Sequence, residues 1–230
     1  MKSTVLVVAA HPDDEVLGCG ATMAAHARKG DRVHVLILAE GLTSRDPERN
    51  RGSRAGGLSR LARAARKAHS ILGVSGTTLE AFPDNRMDSV PLLDVVKVIE
   101  SRIAAVRPDV IYTHHAGDLN IDHRVVHQAV ATACRPLPGT ALRSLLCFEV
   151  PSSTEWQIQS PASAFAPNWH VDVTDTLALK LKALKAYASE MRPWPHSRSL
   201  EAVEHLARWR GASAGWDAAE AFMLGRHRAF

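Results

Sequence analysis

The sequence predicts an α/β fold, in which a mostly parallel sheet carries helices on both faces. A short, continuous apolar run at residues 5–8 and a largely apolar segment at residues 33–38 are typical of strands buried in a parallel sheet. Between them, residues 15–29 have the apolar spacing of a helix, and Gly30 is a suitable residue to end it. The alternation of strand and helix continues to Ala133, and this alternation is typical of α/β proteins with a parallel sheet.

A polar segment at residues 40–57, rich in charged residues, is predicted as a long loop. Loops of this length in a compact domain are usually functional or disordered. The elements predicted after it are strands at residues 77–82 and 109–113 and helices at residues 61–72, 92–106 and 122–133.

The C-terminal third is predicted as an irregular extension of the same domain. Its proline-rich segments indicate loops and not a domain boundary, so we predict one domain over residues 1–230. The elements predicted here are strands at residues 144–150 and 170–173, helices at 174–190 and 200–209, and a cap on the fold at 219–222.

The composition, with 46% apolar and 23% charged residues, is that of a soluble globular protein. No apolar run of about 18 residues occurs, so no transmembrane segment is predicted, and the N-terminal apolar segment suits a buried strand better than a signal peptide. The three widely spaced cysteines indicate a reducing compartment, and we expect a cytoplasmic protein. The net charge of +4 comes from scattered arginines without interleaved aromatic residues, which argues against a nucleic-acid partner.

Ligand-type side chains follow two of the predicted strands. In open α/β sheets, ligands bind beyond the carboxyl ends of the strands, so the two clusters are expected at one edge of the sheet. The first cluster consists of His11, Asp13, Asp14 and Glu15, and the second of His114, His115, Asp118, Asn120, Asp122 and His123.

A helix cap is the alternative interpretation of the first cluster. An aspartate before a helix accepts backbone N–H bonds and meets the positive end of the helix dipole. This explains one or two carboxylates, but not a histidine followed by three acids, because adjacent like charges are costly unless a cation is present. We therefore favour a functional site.

Two histidines and one aspartate are enough for a catalytic zinc site that keeps a position for water. Zinc lowers the pKa of its water and polarises a carbonyl, which makes an amide hydrolysable. Of Asp13 and Asp14, one would bind the metal and the other would act as general base. Asp122 could orient the imidazole of its neighbour His123, and His127 suits helix packing better than metal binding.

Competing motifs are weaker. Gly18-Cys-Gly20 lacks the third glycine of a dinucleotide fingerprint and lies inside a predicted helix. No Gly-x-Ser-x-Gly nucleophile elbow is present.

Two motifs carry a family resemblance. Ala-His-Pro-Asp-Asp-Glu at 10–15 follows the first strand, and Asp-Leu-Asn-Ile-Asp-His-Arg is found at 118–124. With Phe-Pro-Asp-Asn-Arg-Met-Asp at 82–88 and Phe-Glu-Val-Pro-Ser-Ser-Thr-Glu-Trp at 148–156, the sequence resembles the PIG-L (LmbE-like) family of zinc-dependent de-N-acetylases along nearly the whole chain.

The resemblance implies a Rossmann-like α/β domain with His11, Asp14 and His123 as metal ligands and Asp13 as general base. It also implies a small-molecule substrate, an N-acetylglucosamine-type sugar or its conjugate with an inositol, a lipid, a thiol carrier or an antibiotic precursor. Acetate and a free amine would be released. Iron(II) or another divalent ion would suit the same ligands.

Asn120 departs from the pattern of the family. Several members resemble His-x-x-His at this point, and the first histidine assists the oxyanion or the leaving group. Asparagine can donate a hydrogen bond to an oxyanion but cannot deliver a proton at neutral pH, so Asp13 or another histidine would have to do so. The histidines considered for this role are His115, His127 and His196.

Four further residues are expected to contact the substrate, namely Arg45, Asp84, His196 and Arg198. For each arginine, an exposed salt bridge is the alternative. Two other functions stay open at this point. One is an amidase for a larger thiol-sugar or peptide-like conjugate, and the other is a non-catalytic sugar-binding module. Self-association is also left open.

Overall fold

The computed structural model describes residues 2–229 and contains one seven-stranded, mostly parallel sheet. Its strands are arranged in the order β3-β2-β1-β4-β5-β7-β6, and only β7 runs antiparallel to its neighbours. The predicted fold class is thus confirmed. The strands are β1 (Thr4–Ala9), β2 (Arg32–Ala39), β3 (Gly76–Phe82), β4 (Val110–His114), β5 (Ser144–Phe148), β6 (Trp169–Asp172) and β7 (Ala219–His227).

Helices cover both faces of the sheet. The alternating side chains of β1 explain why its apolar run is continuous: Val5 and Val7 face one core, whereas Leu6 and Val8 face the other. Among residues 2–229, no helix combines the length and apolar character that a membrane span requires. The helices are α1 (Asp14–Arg28), α2 (Ala55–Leu72), α3 (Leu92–Val106), α4 (Ile121–Ala133), α5 (Leu177–Leu184) and α6 (Leu200–Ala212).

The order of the strands creates the place for a site. The chain builds β1, β2 and β3 outward in one direction, and then returns to add β4 on the other side of β1. Such a switch point leaves a crevice at the carboxyl ends of the two inner strands. Because β1 and β4 are hydrogen-bonded neighbours, the two clusters of ligand-type residues that follow them meet in this crevice.

The predicted 40–57 loop is shorter in the structure. Helix α2 begins at Ala55, six residues earlier than predicted, and a short 3₁₀ turn forms at Thr43–Arg45. Gly56 and Gly57 disfavour a helix locally, but Leu58 packs on the core, and this tertiary contact extends the helix. The helix predicted at 174–190 is limited to α5 followed by a 3₁₀ turn at Lys185–Tyr187.

The C-terminal region is more regular than the sequence indicates. Residues 219–222, predicted to cap the fold, instead begin strand β7, which lies between β5 and β6. Its first four residues are buried, and two of them are alanines, which have little strand propensity. Pairing with β5 on one side and β6 on the other overrides that weak propensity.

Candidate active site

His11, Asp14 and His123 converge in the crevice between β1 and β4. His11 follows β1, Asp14 is the first residue of α1, and His123 lies in the first turn of α4. One carboxylate oxygen of Asp14, Oδ2, lies 3.2 Å from Nδ1 of His11 and 3.1 Å from Nε2 of His123. The potential ligand atoms of all three residues lie within 4.8 Å of one another, so the cluster could hold a metal ion.

Unpartnered buried atoms test whether a cation fits this cluster. Buried polar atoms nearly always have a hydrogen-bond partner. Among the described residues, Oδ1 of Asp14 has none, and Nε2 of His123, although it is 3.1 Å from Oδ2 of Asp14, makes no contact with hydrogen-bond geometry. Two imidazole nitrogens and a carboxylate are a donor set that suits zinc and other divalent ions. The residues present therefore fit a divalent metal.

The charges of the cluster point in the same direction. Burial lowers the pKa of His123, but the carboxylates of Asp14 and Asp118 outweigh burial and raise the pKa to about 9. Burial raises the pKa of Asp14, yet His123 and His11 bring it well below its ordinary value. The cluster thus attracts positive charge at the position where its ligand atoms meet.

Asp122 is bonded to His11 and not to its neighbour His123, contrary to the prediction. Its Oδ2 lies 2.9 Å from Nε2 of His11, and its two oxygens also accept from the backbone N–H groups of Asn85 and Met87 at 2.7 Å and 2.9 Å. Consecutive side chains on a helix point about 100° apart, so Asp122 reaches a different histidine. It leaves Nδ1 of His11 directed at Asp14.

Asp118 takes the position on His123 that the sequence had suggested for Asp122. Its Oδ1 lies 3.1 Å from Nδ1 of His123, which leaves Nε2 facing Asp14. The hydroxyls of Ser153 and Thr154 also donate to Asp118. Burial raises the pKa of Asp118, but these contacts outweigh burial and hold the pKa below its ordinary value. The spacing of Pro-Ser-Ser-Thr in the sequence does not indicate this contact.

Asp13 precedes Asp14 in the chain and has a partner of its own. Its φ of 118° lies in the left-handed region, which non-glycine residues rarely adopt. Its carboxylate is buried and accepts a hydrogen bond at 2.7 Å from Nη1 of Arg198. Burial raises the pKa of Asp13 to about 8, with Arg198 opposing the rise and the charges of Asp14 and Glu15 adding to it.

Glu15 belongs to the same motif, but its contacts are structural. Its side chain is fully buried and accepts from the hydroxyl of Tyr187 at 2.6 Å and from the backbone N–H of Asp13 at 3.0 Å. It also pairs with Nε2 of His69 at 3.0 Å, so it connects α1 to α2 and to the turn after α5. The third acid of the motif therefore fixes the loop that carries Asp13.

Two of the predicted substrate contacts, Arg45 and His196, are engaged by other residues of the chain. Arg45, nearly half exposed, is paired with Glu190 at 2.6 Å. His196 accepts a hydrogen bond from the backbone N–H of Arg198 at 3.0 Å, and its ring packs edge-on against Trp156. Arg198, also predicted to contact the substrate, donates a hydrogen bond to Asp13.

Asp84 and Asn120 lie at the edge of the cluster. Oδ1 of Asp84 is 3.3 Å from Nε2 of His11, and its other oxygen accepts from the backbone and hydroxyl of Ser44. The side-chain oxygen of Asn120 caps α4 by accepting from backbone N–H groups of the first turn. Its amide nitrogen donates to Asn85 at 2.8 Å, so Asn120 is already engaged at both ends.

Three further histidines, His114, His115 and His127, make hydrogen bonds to the backbone. His114 accepts at Nε2 from the backbone N–H of Ala10 at 2.8 Å, and its ring stacks on that of His123. His115 and His127 are hydrogen-bonded to backbone carbonyls, at 3.0 Å and 2.9 Å respectively. One ring nitrogen of each is therefore already engaged by the backbone.

Comparison with known proteins agrees with the geometry. The family model described as GlcNAc-PI de-N-acetylase (PIG-L) matches residues 6–134. The chain belongs to this family. It is also 32% identical over 194 residues to the uncharacterized deacetylase YaiS of Escherichia coli (strain K12), a match that covers 82% of this chain and 92% of the relative.

Two solved structures illustrate the fold. The N,N′-diacetylchitobiose deacetylase of Pyrococcus horikoshii superposes with a TM-score of 0.76 and 19% identity, over 97% of this chain and 84% of that one. GalB, the 4-carboxy-2-hydroxymuconate hydratase of Pseudomonas putida KT2440, superposes with a TM-score of 0.77 and 21% identity, over 100% and 98%. Since both a deacetylase and a hydratase have this fold, the fold alone does not determine the reaction.

Proposed function

We propose that the protein is a zinc-dependent deacetylase that removes the N-acetyl group from an N-acetylglucosamine-type sugar or its conjugate. The observation that carries the proposal is the convergence of His11, Asp14 and His123, with unpartnered buried atoms, next to the separate carboxylate of Asp13. Membership of the PIG-L family and the relative named as a deacetylase support hydrolysis of an N-acetyl group.

His11 through Nδ1, Asp14, and His123 through Nε2 would hold the ion. The second ring nitrogen of each histidine contacts a carboxylate: Nε2 of His11 contacts Asp122, and Nδ1 of His123 contacts Asp118. Such carboxylates fix the ring orientation of metal-binding histidines. When bound, zinc would supply a Lewis acid for the amide carbonyl and lower the pKa of water to about 7.

Asp13 moves the protons. Arg198 occupies Oδ2 of Asp13, while Oδ1 accepts no hydrogen bond among residues 2–229 and stays available to water. In its ionised form Asp13 would take a proton from the attacking water and later deliver it to the leaving amine. One water is consumed, the C–N bond breaks, and acetate and a free amine are the products.

The remaining assignments follow from the same contacts. Because Arg198 of the C-terminal third meets Asp13 of the N-terminal motif, the catalytic unit includes both regions, and we treat the chain as one domain. Asn120 is assigned to capping of α4, and Asp13 therefore carries both proton transfers. The three free, buried cysteines suit a reducing cytoplasm.

Metal analysis combined with acetate release tests the proposal. The protein, reconstituted with zinc or iron(II), is assayed on N-acetylglucosamine and its conjugates beside Asp13→Asn and the exposed control Asp217→Asn. We expect one bound ion per chain, acetate release by the wild type and the control, and a loss of at least about 100-fold in Asp13→Asn with metal content retained. A metal-loaded wild type that releases no acetate from any conjugate would overturn it. Hydration releases no acetate, so the assay also separates the two reactions found on this fold.

A further inference from the structure

A cavity of about 330 Å³, called here the Trp194 cavity, is lined in part by residues next in the chain to Ser152 and Arg198. It lies between α6 and two loops, and its lining includes Pro151, Trp194, Ser197, His205 and Leu206. Its size is within the range of small-molecule sites, at about 300–1,000 Å³. None of its lining residues belongs to the metal cluster or to the residues proposed to move protons.

Its wall is continuous with the residues that hold Asp13. Pro151 precedes Ser152, whose hydroxyl oxygen accepts from Nε of Arg198 at 2.6 Å. Ser197 precedes Arg198, whose Nη1 donates to Asp13 at 2.7 Å. The cavity wall is thus joined through the chain to Ser152 and Arg198, the residues that hold Asp13, and a substrate with its acetamide group at the metal cluster could extend towards it.

The cavity presents an aromatic and apolar surface. Trp194 is 57% exposed, and His205 lies edge-on to it with a ring-centroid distance of 5.5 Å. Leu206, Ala202 and two prolines complete the apolar part of the lining. The flat face of an exposed indole in a concave site suits the C–H face of a sugar ring.

The charges of the lining select against anions. Glu149 and Glu155 both line the cavity, and no lysine or arginine does among its lining residues. Glu149 is neutralised by a bidentate pair with Arg210, at 2.8 Å for each contact. Among residues 2–229, Glu155 accepts hydrogen bonds only from backbone N–H groups, those of Ser152 and Ser153, so its carboxylate can also accept from the hydroxyl groups of a ligand.

We propose that the Trp194 cavity is a subsite for a second, neutral sugar ring, which defines the substrate as an N-acetylated disaccharide or longer oligosaccharide. Trp194 stacks on the ring and Glu155 accepts from its hydroxyls. This inference rests on the deacetylase function proposed above, because the acetamide group fixes the direction of the substrate. A phosphorylated or carboxylated aglycone would be repelled by Glu155.

Activity and binding test the subsite separately. Acetate release is measured with N-acetylglucosamine, N,N′-diacetylchitobiose and N-acetylglucosamine 1-phosphate, for the wild type, Trp194→Ala and Glu155→Gln. The matched control is Trp209→Ala, which removes an exposed tryptophan of α6 outside the cavity. Binding of N,N′-diacetylchitobiose to the metal-free proteins is followed by calorimetry, which needs no catalysis.

We expect the wild type to prefer the disaccharide, and the ratio of kcat/KM for disaccharide over monosaccharide to fall about tenfold in Trp194→Ala but not in Trp209→Ala. In Glu155→Gln, the value of kcat/KM for N-acetylglucosamine 1-phosphate should rise relative to that for N-acetylglucosamine. Calorimetric binding should be lost in Trp194→Ala. If binding and the ratio are unchanged in Trp194→Ala, the subsite is wrong. If the disaccharide binds through Trp194 but no acetate is released from any compound, the deacetylase proposal fails instead.

Discussion

The guanidinium of Arg198 lies 2.7 Å from Oδ2 of Asp13, although 185 residues separate them in the sequence. Both side chains are largely buried, and Nε of the same guanidinium is held by Ser152. The sequence alone predicts Arg198 as a substrate contact. In the structure it acts first on the proposed general base, because it lowers the pKa that burial raises.

Replacement of Arg198 by alanine should therefore change the pH dependence of the reaction. A general base works in its ionised form, so activity falls as the pH drops through its pKa. Loss of the cation raises the pKa of Asp13, so the acidic limb of kcat/KM should move to higher pH, with about a tenfold loss at neutral pH for each unit moved. Rates measured between about pH 5 and 10 test this shift.

The control is Arg208→Ala, which breaks an exposed pair with Glu204 on α6. Its pH profile should match that of the wild type. If Arg198→Ala lowers the plateau without moving the acidic limb, Arg198 contacts the substrate only, as the sequence alone suggested.

Asp118 should contribute to metal affinity through His123. In Asp118→Asn the charge that holds Nδ1 of His123 is lost, while the size of the side chain is kept. Carboxylates that orient metal-binding histidines typically contribute about 10–100-fold to affinity, and we expect a weakening in that range. Competition with a zinc chelator measures it, with Asp217→Asn as the control. An unchanged zinc affinity would show that Asp118 does not contribute to metal binding.

Zinc binding should release protons at neutral pH. The pKa of metal-free His123 is about 9, because the pull of Asp14 and Asp118 exceeds the effect of burial, so the ring is protonated near neutrality. A metal must displace that proton, and zinc affinity should rise as the pH rises towards about 9. Asp14, with its lowered pKa, is already ionised and releases none. Calorimetry in two buffers of different ionisation enthalpy counts the protons, and zero release would contradict the assignment.

The meeting of His11, Asp14 and His123 could be predicted from sequence, because they follow strands whose carboxyl ends share one edge of a parallel sheet. Their role as ligands stays a prediction. The positions of residues that directly follow a strand can be predicted because the sheet sets them. The direction in which each of these side chains points cannot be predicted in this way.

The partners of these residues could not be predicted for that reason. Asp118 reaches His123 because of the path of the loop after β4, and the 150–154 turn then closes over it. Arg198 reaches Asp13 from an irregular segment with no periodicity. Strand β7 begins with small residues whose pairing is decided by β5 and β6, not by local propensity.

Tyr187 should be a larger contributor to stability than Tyr112, the other tyrosine of the chain. Tyr187 donates at 2.6 Å to the buried carboxylate of Glu15, whereas Tyr112 bonds to His26 at 3.1 Å. A hydrogen bond to a buried charge contributes about 2 kcal/mol, and a neutral one about 1 kcal/mol. Urea unfolding of Tyr187→Phe and Tyr112→Phe should show this order. Equal losses would mean that the hydrogen bond to Glu15 contributes no more stability than the one to His26.

Asn120 offers the test that separates capping from catalysis. Its side-chain oxygen caps α4, so Asn120→Ala should cost about 1 kcal/mol of unfolding free energy. Asn120→Ser keeps a capping oxygen but removes the amide N–H groups, so it should restore stability. If Asn120 only caps the helix, Asn120→Ser also keeps most of the deacetylase rate. If the serine variant is stable but loses kcat about 100-fold, the amide stabilises the oxyanion, and the assignment of Asn120 to the cap alone is wrong.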